Sequence, residues 1–100
     1  MTPSELRKTR ELRERAAALI ETRGWYQGDY VEPGTTGQGR VCAIGAIYLA
    51  AGYRPTSIHA PSHVGRTIEE LEKKLGRALS VWNDTSGRTK AEVLALLRDA

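Results

Sequence analysis

The chain is predicted to be all-α: a compact bundle of four to five helices around a central apolar helix at about 41–51, with a Gly-rich loop or short β-ribbon at about 25–41. Three observations predict it. Residues 41–51 run without a charge in a chain that is 27% charged, and a helix apolar on all sides has to be enclosed by the rest of the fold. Thr-x-x-Glu capping patterns stand at 2–5, 67–70 and 89–92, each a signature of a helix start. Apolar residues follow these starts at helical spacing. One hundred residues give a single domain, 1–100, with one core.

In the first helix Thr2 caps, Pro3 takes the first helical position and Glu5 closes the box. Leu6, Thr9, Leu12, Ala16, Leu19 and Ile20 then share one face. Arg13 lies on that face too, with its stem expected at the edge and its head in water. Arg7, Lys8, Arg10, Glu11, Glu14 and Arg15 form a solvated face, and Gly24 is the stop after Arg23. Residues 24–39 hold five of the ten glycines and Pro33. They read as a loop in which Tyr30-Val31 could pair near Arg40-Val41, with Trp25, Tyr26 and Tyr30 tethered and the Gly/Thr tip mobile.

The central helix should stop at Gly52, and Gly45 in its interior, costly by roughly 1 kcal/mol against Ala, marks close approach of another backbone. Residues 53–66, with Pro55, Pro61 and Gly65, read as an irregular crossing. The box at Thr67 opens a helix with Ile68, Leu71 and Leu75 inward, and after Gly76 a short separate helix carries Leu79 and Trp82. A turn at 83–87 leads to the last helix, capped at Thr89, with Val93, Leu94 and Leu97 buried.

The formal charge is +3, but no segment is a basic block: residues 1–24 carry six basic and four acidic side chains, 25–66 three and two, 67–100 six and six. The concentration of Lys and Arg that nucleic-acid binding needs is missing, as is a helix-turn-helix with a basic recognition helix, so a nucleic-acid partner is disfavoured. The single Cys cannot form an internal disulfide, the first 20 residues are charged, and no stretch approaches a membrane span. A cytoplasmic protein with no membrane partner is expected.

Gly24-Trp25 with Gln27-Gly28, then Val41-Cys42-Ala43-Ile44-Gly45-Ala46-Ile47 with Ala51-Gly52, then Trp82-Asn83-Asp84 with Gly87-Arg88-Thr89 occur in that order. With Glu92-Val93-Leu94-Ala95-Leu96-Leu97 after them, the chain resembles, over residues 6–98, a family of short uncharacterised proteins of actinobacteria and their phages. The resemblance implies a common fold and a cytoplasmic setting. It implies no activity and carries over no catalytic residues.

Cys42 follows the Gly-rich loop near a helix N-terminus, where amides and the helix dipole lower a thiol pKa. His59, His63, Asn83 and Asp84 could supply a base and its orienting partner, as in Cys-His-Asn enzymes. The competing reading, a small thiol packed in the core, is preferred. His59 and His63 have helix spacing, but Pro61 between them argues against a helix, and zinc would need two further ligands. No metal site and no cofactor are expected. Gly34, Gly37 and Gly39 before a helix resemble a phosphate cradle, but Arg40-Val41-Cys42 stands where the P-loop needs Lys-Ser/Thr; Arg40 could hold an anion weakly. Trp82 should plug the core, with Asn83 or Asp84 bonding amides of the turn and Asp84 pairing with Arg88.

The leading expectation is a non-enzymatic protein–protein interaction or regulatory module. Its partner could be a host protein or a second copy in a homo-oligomer. Trp25, Tyr26, Gln27, Tyr30, Arg40, Asp84 and Arg88 are the binding candidates, because Trp, Tyr and Arg dominate interface energetics. The alternatives are a small cysteine-dependent hydrolase or transferase using Cys42 and a weak nucleic-acid binder.

Overall fold

The computed structural model describes residues 2–99 and contains, among them, five helices. These are α1 (Pro3–Arg23), α2 (Ala43–Ala50), α3 (Ser62–Leu75), α4 (Leu79–Asn83) and α5 (Lys90–Asp99). The long α1 is the platform: it packs against α2, α3 and α5, while α2 also meets α3 and α4. The predicted all-α bundle is the observed fold.

Helix starts follow the capping chemistry at both ends of the chain. The Thr2 and Thr89 hydroxyls accept the amides of Glu5 and Glu92, each at 3.2 Å, and both glutamates reach back to the cap amide. Gly24 ends α1, and Gly76, in the left-handed region (φ 71°), ends α3. The two-helix reading of 67–83 is correct, since α4 is separate from α3.

The third expected box, at Thr67, is not a helix start. α3 begins at Ser62, five residues earlier, and Thr67 is buried inside it with its hydroxyl donating to the His63 carbonyl at 2.6 Å. Pro61 caps with extended backbone (φ −62°, ψ 156°), so its fixed ring precedes the helix instead of breaking it. Val64, Thr67 and Leu71 form the buried stripe.

The central helix is shorter than 41–51. Val41 is extended and fully buried, making isolated bridges to Trp25 and Val31, so the expected ribbon is reduced to single pairings. Cys42 is the N-cap and α2 ends at Ala50. Ala43, Ala46 and Ile47 are wholly enclosed, whereas Ile44, Tyr48 and Leu49 are half-buried. Gly45 is required where it stands: a Cβ there would run into the Tyr30 carbonyl, which accepts the Cys42 amide at 3.1 Å. The close approach inferred from Gly45 is real.

Three further expectations are corrected. Leu6 is half exposed at 50%. Arg13 is buried, with its guanidinium donating to the Leu97 carbonyl at 3.3 Å where α5 crosses α1. In α5, Leu96 is buried and Leu94 only partly so. In each case neighbouring helices decide which edge of a stripe is covered.

Candidate functional site

Three segments remote in sequence meet on one face: the loop 25–30 after α1, the cap of α2, and α4 with the turn that follows. Asn83 joins them. It is wholly buried, and its Oδ1 accepts the Trp25 indole N–H at 2.8 Å and the Ala43 amide at 3.0 Å. Its Nδ2 donates to the Tyr26 carbonyl at 3.1 Å and to Asp84 Oδ1 at 2.9 Å. Both donors and both acceptor positions of the amide are used. A flipped amide would set donor against donor, so the network defines the orientation.

The surrounding bonds lock the loop to α4. Gln27 Nε2 donates to the Asn83 and Thr85 carbonyls, both at 3.0 Å, closing carbonyls at the end of α4. Asp84 Oδ1 also accepts the Gly28 amide at 3.1 Å. The expectation that Asn83 or Asp84 bonds amides of the turn is therefore corrected, since the amides they accept are those of Ala43 and Gly28. Asn83 bridges elements 40 and more residues apart in sequence, because the loop after α1 arrives with unpaired backbone groups that must be satisfied once buried.

Arg88 does not pair with Asp84. It donates from Nε to the Trp82 carbonyl at 3.0 Å, lies 4.1 Å from the Trp82 ring centre and pairs with Glu92 at 3.0 Å. Glu92, four residues on in the first turn of α5, competes successfully for it.

Cys42 is 5% exposed, and its Sγ accepts the Gly45 amide at 3.3 Å as the cap of α2. Burial pushes the thiol pKa up, and the nearby negative charge of Asp84 adds to the rise; the Gly45 and Ile44 amides oppose both. The lowering expected from a helix N-terminus is thus outweighed by desolvation.

Outside this thiol lies a hollow of about 230 Å³ lined by Gly28, Asp29, Tyr30, Cys42, Ser80, Asn83 and Asp84. The structure therefore brings Cys42, Asn83 and Asp84 together and leaves both histidines elsewhere. His59 is exposed in the crossing before α3, and His63 lines a separate hollow with Lys8, Glu11 and Arg15. Among the described residues no group of three or more His, Cys, Asp and Glu side chains is placed to hold a metal ion.

The remaining binding candidates divide. Trp25 and Tyr26 are half-buried, Trp25 against the core, while Gln27 and Tyr30 are exposed. Arg40 lies 5.1 Å from the Tyr26 ring centre and grips Glu32 through two bonds, Nε–Oε1 at 3.0 Å and Nη2–Oε2 at 2.9 Å. That hydrogen bond from Arg40 holds the Glu32 carboxyl below the usual range. A guanidinium so engaged is a poor anion cradle, and the Gly39 amide is taken by the Thr35 hydroxyl at 3.0 Å.

Sequence reasoning missed Gly28, Asp29 and Ser80 as lining residues. For Ser80 a signal existed: it stands one helical turn before Asp84, a spacing that places both on one face. For Asp29 there was none, because its position depends on the pinning of the loop by Asn83 and Asp84.

A family model described as Family of unknown function (DUF6197) matches residues 5–100, and the chain belongs to that family. No curated protein and no solved structure matches it.

Proposed function

We propose that this member of a family of unknown function is a non-catalytic protein–protein interaction or regulatory module. It would engage its partner through the face made by the 26–31 loop and α4. The carrying observation is the hydrogen-bonded lock around Asn83, which holds an exposed aromatic and an exposed aliphatic side chain on a rigid base. Tyr30 is 38% and Val81 58% exposed, and Tyr30 and Ser80, the neighbour of Val81, line the same hollow. Rigid aromatic anchors lose little entropy on binding and dominate interface energies.

The buried thiol favours this reading over a cysteine hydrolase, since a nucleophile needs an ionisable, reachable sulfur and a base to activate it. The reading includes the cytoplasmic setting, in an actinobacterium or its phage, that the sequence resemblance implies. No helix among the described residues is long and apolar enough to cross a membrane.

The test is affinity capture from host lysate with the wild-type chain and with a Tyr30→Ala/Val81→Asp double variant of matched thermal stability. A partner retained by the wild type and lost by the variant supports the module. Equal retention by both sinks this face as the contact, and fast alkylation of native Cys42 at pH 6 restores the enzyme reading.

A further inference from the structure

We infer that the hollow beside Cys42 receives the cationic end of an arginine or lysine side chain presented by the partner; this rests on the interaction reading above and names what that face recognises. The first ground is charge segregation. The chain carries a formal +3, yet this hollow is lined by the carboxylates of Asp29 and Asp84 with no Lys, Arg or His. Three other surface hollows each include Lys or Arg: one Arg7, Arg10 and Arg13, another Arg66 beside Glu5 and Glu69, a third Lys8 and Arg15 beside Glu11.

The second ground is hydrogen-bonding capacity. Asp84 Oδ1 accepts from Gly28 and Asn83, and Asp29 Oδ1 accepts the Tyr30 amide at 2.8 Å. The Oδ2 atoms of both accept no hydrogen bond from the described residues. Each carboxylate is thus held by one oxygen and open at the other, which reduces the ordering cost of binding a donor. Tyr30 also lines the hollow, and the Cys42 thiol, its pKa raised by burial, adds no negative charge of its own.

The third ground is size. At about 230 Å³ the hollow is smaller than sites for drug-sized ligands, which run to about 300–1,000 Å³, but suits one long side chain. The planar guanidinium, able to fork between two oxygens, is the better occupant than a point-charge ammonium.

The experiment titrates the full chain with acetylated, amidated Gly-Gly-X-Gly-Gly peptides in which X is arginine, lysine, norleucine or glutamate. Amide shifts of Gly28, Asp29 and Asp84 are followed by NMR. Expected are saturable shifts with arginine, weaker ones with lysine, and affinity at least about tenfold lower for norleucine, with binding reduced as salt rises. Asp29→Asn, which retains an acceptor for the Tyr30 amide, should weaken the arginine peptide about threefold or more. Ser80→Tyr, at an exposed position, should block it.

Equal shifts with norleucine or glutamate, no saturable response to arginine, or unaltered binding by Ser80→Tyr overturns the inference. Free n-butylguanidinium should compete with the arginine peptide for the same shifts; failure to compete overturns the assignment of the hollow to the cationic end of a side chain. If lysate capture still depends on Tyr30 and Val81 while the arginine peptide has no effect, only the hollow's role fails. If the arginine peptide binds but no partner depends on that face, only the module reading fails.

Discussion

Replacing Asn83 with Ala should unfasten the loop from the bundle. Four hydrogen bonds converge on this one side chain, each with a net value of about 1 kcal/mol. The substitution strands the Trp25 indole N–H, the Ala43 amide and the Tyr26 carbonyl. Water entering through the adjacent hollow recovers part of this, so the expected loss is about 3–4 kcal/mol, a large share of the ~5–15 kcal/mol of a small domain. For a chain of this size that lowers Tm by about 12 °C or more. Urea unfolding followed by Trp fluorescence measures it, with the slope against denaturant unchanged if the native state stays compact.

Asn83→Asp is the sharper variant. It keeps acceptors for Trp25 and Ala43 but removes both donors and sets a carboxylate against the Tyr26 carbonyl and Asp84. Burial and like charge raise the folded-state pKa of that new carboxyl above its unfolded value. The native variant then binds more protons than the unfolded chain, so its deficit relative to wild type should be smaller at pH 4 than at pH 7. A loss under about 1 kcal/mol for Asn83→Ala, or a pH-independent deficit for Asn83→Asp, would refute the lock.

Gly45→Ala should cost about 1–3 kcal/mol, as overpacking does, because its Cβ meets the Tyr30 carbonyl; hydrogen exchange at 28–31 should accelerate, and unchanged exchange would place the strain elsewhere. Native Cys42 should react with iodoacetamide at pH 7 at least about tenfold more slowly than in urea, since burial raises its pKa and shields it. Cys42→Ser, which keeps a capping acceptor for Gly45, should be more stable than Cys42→Ala by up to ~1 kcal/mol in urea unfolding. On acidification, Glu92, held low first by hydrogen bonds from Thr89 and then by Arg88, and Glu32, held low by Arg40, should withdraw stability. Folded-state pKa values below the unfolded ones mean a contribution present above the unfolded carboxylate range and lost as pH falls through the folded values. The urea midpoint should therefore drop with pH, and less steeply in Glu92→Gln.

Local chemistry is legible where a segment needs no partner to be specified. Thr2 and Thr89 find Glu5 and Glu92 three residues away, and Gly24 and Gly76 stop helices by their own backbone freedom. The same rule misplaced the start of α3: Thr67-Ile68-Glu69-Glu70 has the capping pattern, but burying Val64 extends the helix back to Ser62, where Pro61 permits a start. Arg13 looked like an edge residue because periodicity says which face it occupies and not that the Leu97 carbonyl waits there.

From the order of residues alone came the helical class, the outer capped helices, the break at Gly76 and the close approach at Gly45. Folding in three dimensions decided that Asn83 would hold Trp25, Tyr26 and Ala43, that Arg88 would choose Glu92 over Asp84, and that Cys42 would share a hollow with two carboxylates and no imidazole. Caps and periodicities act within a turn or two of chain, whereas a buried amide's partners depend on which distant backbone groups are left unsatisfied when the helices close over them.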